Sequence, residues 1–194
     1  MELSNDFEVS APIEKVWEVI NDVELIAHCL PGAHLEAVEN DEYKGFVKVK
    51  VGPITAQYKG VAKFVEKDDS NHRVVIRGEG RDTRGAGNAA ADITASLEST
   101  TEGTRVNVVT DLKITGKVAQ FGRGVMADIS KKLMSQFADN LSELVLSKGG
   151  DSQDGRSEDS SNQDSEAIDL LSVAGGSIGK KLVPKWIRNR QKKT

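Results

Sequence analysis

From Val118 to Leu146 the apolar residues Val118, Phe121, Val125, Ile129, Leu133, Phe137, Leu141 and Leu144 recur at three- and four-residue steps. Arg123, Asp128, Lys131, Lys132, Asp139 and Glu143 take the positions between. That spacing gathers the apolar side chains on one face of an α-helix and the charges on the other. At about 1.5 Å per residue the helix would run about 40 Å, and no other stretch of the chain approaches it. Everything before it has to supply a surface that covers its apolar face. Gly122 and Gly124 fall in the first turns, where each glycine costs about 1 kcal/mol against alanine. The pair predicts that something approaches the helix closely there.

The preceding residues supply such a surface in order. Leu3, Phe7 and Val9 alternate with Glu2, Asp6, Glu8 and Ser10, the period of a half-buried strand. Ser10-Ala11-Pro12 offers a capping residue and a proline at a helix start, and Val16, Trp17, Val19 and Ile20 follow at helical spacing. A second short helix, Val23 to Leu30, ends at Pro31-Gly32. From Leu35 to Ile114 the pattern is almost wholly of period two, broken at Asn40-Asp41, Gly52-Pro53, Asp68 to Asn71, Gly85 to Asn88 and Thr100 to Gly103. These breaks divide the region into six antiparallel strands. The expected architecture is α+β: a curved seven-stranded antiparallel sheet wrapped around the long C-terminal helix, with two short helices after the first strand.

Lysines and arginines should point away from the helix, which fixes the inward set by parity. It comprises Gly45, Val47, Val49 and Val51; Tyr58, Gly60, Ala62 and Phe64; Val74, Ile76 and Gly78; Ala89, Ala91, Ile93, Ala95 and Leu97; and Val106, Val108, Thr110, Leu112 and Ile114. Many of these are glycine, alanine or threonine. A sheet so lined leaves its interior unfilled, and protein interiors do not tolerate large voids without a reason. An internal apolar cavity for a lipophilic small molecule is one reason, walled by Val47, Val49, Tyr58, Ala62, Ile76, Ala91, Ile93 and Leu112 on the sheet. Phe121, Val125 and Ile129 would wall it on the helix, opposite strands too small to meet them. The other reason is purely geometric: small residues let the helix pack closer, or mark bends and bulges.

Several kinds of chemistry find no support in the residues. His28, His34 and His72 show no metal-ligand spacing with one another or with Cys29, and no serine or cysteine stands in an interpretable relation to a histidine and an acid. Cys29, the only cysteine, reads as a small buried hydrophobe and fits a reducing cytoplasm. The stretch Gly78 to Asn88 is glycine-rich but lacks the lysine and hydroxyl residue of a Walker loop and lies between two strands, so it reads as a wide, mobile hairpin at the cavity mouth. Arg81 and Arg84 there are expected to be solvated loop charges. No enzymatic activity is expected, nor any covalent or metal cofactor. The N-terminus has neither a basic flank nor an apolar core, and no run of eighteen apolar residues exists, so neither secretion nor a membrane span is expected.

The charge is unevenly spread. Residues 1–146 carry 17 basic and 23 acidic side chains, residues 147–166 carry 2 and 6, and residues 167–194 carry 7 and 1. The middle stretch is serine, glycine, acids and amides, unable to bury enough apolar surface to offset its ordering entropy, and reads as an acidic flexible linker. The last stretch mixes aliphatic residues with Lys and Arg: Leu171, Ile178, Leu182, Trp186 and Ile187 against Lys181, Lys185 and Arg188. Such a segment is too short and charged to cross a bilayer but suits the interface of an anionic leaflet. It could alternatively dock in a protein groove; nucleic acid is disfavoured, since the aliphatic face is unnecessary for that and the main domain is acidic. The domains are therefore 1–146, 147–166 and 167–194, the last a membrane-anchoring tail.

Met1-Glu2-Leu3, Ala11-Pro12, Val16-Trp17, Leu30-Pro31-Gly32, Lys48 to Ile54, Gly78-Glu79-Gly80 and Gly116 to Gly122 together resemble the G-subunit family of carbon monoxide dehydrogenase. The resemblance covers about residues 1–146; the linker and tail lie outside it. It implies a START-like helix-grip domain that holds a hydrophobic ligand, and association with aerobic CO dehydrogenase, a molybdenum, iron-sulfur and flavin enzyme attached to the cytoplasmic membrane. None of those cofactors has a ligand set in this chain, which fits an accessory protein. With cavity, tether and anchor combined, the expectation is a quinone-binding protein on the inner face of the cell membrane that links the enzyme to electron transfer. A recruitment adaptor without a ligand, or an assembly factor, is the alternative.

Overall fold

The computed structural model describes residues 1–85 and 87–148, together with the backbone of residues 168 and 169. Strand β1 (Glu2–Val9) is followed by helices α1 (Ile13–Ile20) and α2 (Val23–Cys29). Strands β2 (Ala33–Glu39), β3 (Glu42–Val51), β4 (Ile54–Asp68), β5 (Arg73–Asp82), β6 (Asn88–Thr100) and β7 (Gly103–Ile114) come next, then α3 (Gly122–Lys148). The antiparallel sheet has the order β1-β7-β6-β5-β4-β3-β2. The curved sheet with a long C-terminal helix expected from the spacing is the architecture observed. A two-residue strand, β8 (Ile168–Asp169), pairs in parallel with β3.

The turns follow from residue chemistry. Asn40 and Asp41 both take positive φ, 51° and 61°, the conformation that closes a two-residue hairpin with the twist of its strands. Asp68 gathers the β4–β5 turn by accepting from the backbone N–H groups of Ser70 and Asn71 and from the Asn71 amide at 2.6 Å. Those bonds, the Asn71 side chain's foremost, hold its carboxyl below the usual carboxylate range.

Two local expectations are corrected. Ser10 does not cap α1: the N-cap is Pro12, without a side-chain bond, and the chain entering α1 is instead held by the buried Thr104 hydroxyl, which donates to the Ala11 carbonyl at 2.8 Å. The long helix does not start at Val118. Residues Val118–Phe121 form a 3₁₀ turn, and Gly122, at φ 72°, makes the corner into α3. A Cβ at Gly122 or Gly124 would meet nothing within 4 Å, so no element presses on the helix there. The first glycine is present for its backbone angle.

The buried residues form two clusters at opposite ends of α3. Phe137, Leu141 and Val145 pack with α1 (Val16, Trp17, Val19, Ile20), Cys29 of α2, and Val9, Val74, Leu97, Val106 and Val108 of the sheet. Val118, Met126 and Ile129 pack with Val51 and Ala56. Between the clusters the sheet is covered more thinly. Residues 62, 78, 91 and 93 there are only half-buried.

Candidate functional site

The strand register builds the thin region row by row. One row across the concave face reads Tyr43, Ala62, Gly78, Ala91, Leu112, each opposite the next on the neighbouring strand. The row beside it reads Gly45, Gly60, Gly80, Ala89, Ile114. On the other side lie Phe64, Ile76, Ile93 and Thr110. Two rows almost without side chains are therefore bounded by rows of aromatic and branched residues.

The glycines of these rows are small for different reasons. A Cβ on Gly60 would overlap the Glu79 carbonyl oxygen, and one on Gly45 the His34 carbonyl oxygen. These two serve the close approach of backbone to backbone in a bent sheet. Gly78 is different: a Cβ there meets nothing within 4 Å. Its neighbours Arg77 and Glu79 are exposed on the convex face, so by alternation the Gly78 position opens onto the concave side. The geometric reason holds at Gly45 and Gly60, while the space at Gly78 is open.

The predicted wall residues fall into three groups. Val49, Tyr58, Leu112, Phe121, Val125 and Ile129 belong to the cluster at the start of α3. Ile76 and Ile93 pack against the other cluster. Val47, Ala62 and Ala91 belong to neither, and lie half-buried between them. Phe121, Val125 and Ile129 do meet the sheet, through Ile54, Tyr58, Leu112 and Ile114, so the expectation that they face only small residues is corrected. They pack over one end of the thinly covered part of the sheet. The tail residues Leu171, Ile178, Lys181, Leu182, Lys185, Trp186, Ile187 and Arg188 lie outside the described residues.

Polar groups on these elements were less legible. Asp82, buried at 8% exposure, stands opposite Tyr58 in the β4–β5 register. Burial, and then the Asp82 charge, push the Tyr58 phenol above its ordinary value, so it is a proton-bearing hydroxyl in an apolar wall. One oxygen of Asp82 accepts from the Arg84 N–H at 2.7 Å, and its backbone N–H donates to Gly87. The glycine-rich stretch is thus β5 as far as Asp82, with the turn beyond it tied to that carboxylate. The signal that finds Asp82 is parity, since Val74, Ile76, Gly78, Gly80 and Asp82 are alternate residues of one strand. Gln136, on α3 between Leu133 and Phe137, has a buried side-chain oxygen without a hydrogen-bond partner.

Among the described residues, clefts lined mainly by charged and hydroxyl-bearing residues open elsewhere. One of about 350 Å³ lies at Ser10–Glu14 and Ser99–Gly103; one of about 320 Å³ lies on the convex face at Arg77, Asp92 and Lys113, beside Ala91; one of about 260 Å³ lies between β1 and α3 at Leu3, Arg123 and Ser130. Among the described residues no group of three or more His, Cys, Asp or Glu could hold a metal ion, and no helix is long and apolar enough to cross a membrane.

The geometry has solved counterparts. A conserved protein of Geobacillus kaustophilus is 19% identical with a TM-score of 0.67, covering 76% of this chain and 97% of its own. The protein Ara h 8.0201 is 18% identical with a TM-score of 0.53, over 76% and 98%. A norcoclaurine synthase point mutant from Thalictrum, solved with a transition-state analogue, is 19% identical with a TM-score of 0.53, over 77% and 96%. At these identities the likeness is one of fold, the START-like helix grip. No curated protein matches the chain. The sequence model of the carbon monoxide dehydrogenase G-subunit (CoxG) family matches residues 6–146, nearly the whole described domain, and the chain belongs to that family.

Proposed function

We propose that this chain is a non-catalytic accessory protein of CO dehydrogenase that takes a lipophilic molecule, a respiratory quinone, into the groove between its sheet and α3. The observation that carries the reading is the row Ala62, Gly78, Ala91, with open space at Gly78 and apolar clusters at both ends. A flat ring fits a slot whose floor carries at most methyl groups and whose ends are aliphatic and aromatic. The Tyr58 hydroxyl can donate to a quinone carbonyl, and the unpartnered Gln136 oxygen can accept from the hydroxyl of the reduced form. Both redox states would then find a polar contact.

Membership in the CoxG family supports the partner. A soluble dehydrogenase feeding a respiratory chain has to reach a carrier dissolved in lipid. The basic amphipathic residues 167–194 would hold this protein on the inner face of the cell membrane, on the end of the acidic linker.

Electron transfer from the dehydrogenase to quinone in vesicles tests this, with the wild-type chain and with Ala91→Phe, which fills the slot. The carrier reading expects transfer to be lost in the variant while vesicle association remains. Undiminished transfer would leave the chain as a recruitment adaptor. A dehydrogenase made without this chain and short of its cofactors would make it an assembly factor.

A further inference from the structure

Strand β2 covers β3 only as far as Val47, opposite Ala33, with the Lys48 N–H donating to the Gly32 carbonyl at 2.8 Å. Beyond that point the outer edge of β3 passes β2, and there β8 pairs with it in parallel, Ile168 against Val49 and Asp169 against Lys50. An open strand edge is a template for an added strand. The convex face beside it is basic. Lys48 and Lys50 alternate with the inward Val49 and Val51, while Lys59 and Arg81 stand opposite one another one and two strands away. Glu36 pairs with Lys59 at 2.8 Å. The patch is positive in a domain whose total is negative.

The segment that leads into β8 has the opposite sign. Residues 151–169 contain Asp151, Asp154, Glu158, Asp159, Asp164, Glu166 and Asp169 against Arg156 alone. We propose that this end of β3 is a docking site for an extended acidic segment, and that its occupant is the chain's own linker, latched at Ile168–Asp169. Backbone pairing sets the register and the lysines supply the attraction. The proposal is independent of whether the groove holds a ligand.

Length decides how tight the latch can be. Val51 packs with Met126 near the start of α3, whereas Val145, near its end, belongs to the other cluster. The linker leaves α3 at Lys148 and must return along the helix, about 40 Å for 27 residues. Twenty residues reach at most about 70 Å, so the path is possible. A relaxed coil of that length spans only about 25 Å, so docking stretches it. The latch is therefore weak, and because it draws on exposed charges it is salt-sensitive. When it is closed, the basic tail from residue 170 starts at the β3 end of the domain, beside Val51 and Phe121, and not at the far end of α3.

Hydrogen exchange of the full chain tests this, comparing wild type with Ile168→Pro, which removes a backbone donor outside the folded domain, and with the combined D164N, E166Q and D169N variant. Exchange of the Lys50 amide, which lies on the β8 side of β3, should be at least tenfold slower in wild type than in Ile168→Pro at low salt. The difference should shrink in 0.5 M salt and in the charge variant. Spin labels at Lys63→Cys and Ser165→Cys should give a narrow distance distribution that broadens in Ile168→Pro. Equal exchange in wild type and Ile168→Pro, or a broad distribution in both, overturns the proposal.

Discussion

Gly78 stands directly opposite Ala91 across β5 and β6, and a methyl group built on Gly78 meets no atom within 4 Å. The two residues belong to rows of glycine and alanine bounded on one side by Phe64, Ile76 and Ile93. Gly60, one strand away on β4, is small because the Glu79 carbonyl lies where its Cβ would be. Neighbouring glycines thus separate into one that opens space and one that lets backbones meet.

That separation predicts opposite effects of the same substitution. Gly78→Ala should stabilise the chain by about 0.4–1 kcal/mol, because it restricts the unfolded state and strains nothing. Gly60→Ala should destabilise it by more than about 1 kcal/mol, because strand β5 has to shift. Urea denaturation of the two full-length variants decides the matter, and equal shifts would contradict the assignment.

Thr104 is fully buried and its hydroxyl donates to the Ala11 carbonyl at 2.8 Å. Thr104→Val keeps the shape but leaves that carbonyl without its partner. The expected loss is about 1–3 kcal/mol, measured by thermal or urea unfolding.

Burial pushes the Cys29 thiol up, and burial with the Asp82 charge pushes the Tyr58 phenol up. In both the fold favours the protonated form. Their contributions are fully present below the ordinary values of a thiol and a phenol, about 8.5 and 10, and are lost as pH rises through the raised ones. Stability should therefore fall on the alkaline side, and less steeply in Cys29→Ala and Tyr58→Phe. Alkylation of Cys29 at pH 8 should be slow in the native chain and fast after unfolding. Rapid native alkylation would show that the thiol is neither buried nor protonated.

The sheet was legible because one of its faces is charged. Lysines and arginines at alternate positions of β3, β4 and β5 betray which residues face α3, and every buried strand residue from Val51 to Val108 has the predicted parity or, at Ala56, shares the parity of Tyr58. Helix α3 was legible from its spacing but its start was not, because Val118 and Phe121 carry the same apolar pattern in a 3₁₀ turn, and only the positive φ of Gly122 separates the two. The inward set of strand residues was legible by parity, but its arrangement was not. Parity places Val47, Ala62 and Ala91 on the concave face, but their position between two clusters depends on register across four strands. Gly60 and Gly78 are identical on paper, since whether a glycine faces a carbonyl or open space is a property of the neighbouring strand.

The central claim is that the space over Gly78 and Ala91 is a quinone site. Calorimetric titration of a short-chain quinone into the full-length wild-type chain and into Ala91→Phe, with folding of the variant checked by its unfolding curve, tests it most directly. The account predicts saturable one-site binding to wild type and at least a tenfold loss in the variant at unchanged stability. Equal binding to both, or none to either, would contradict it.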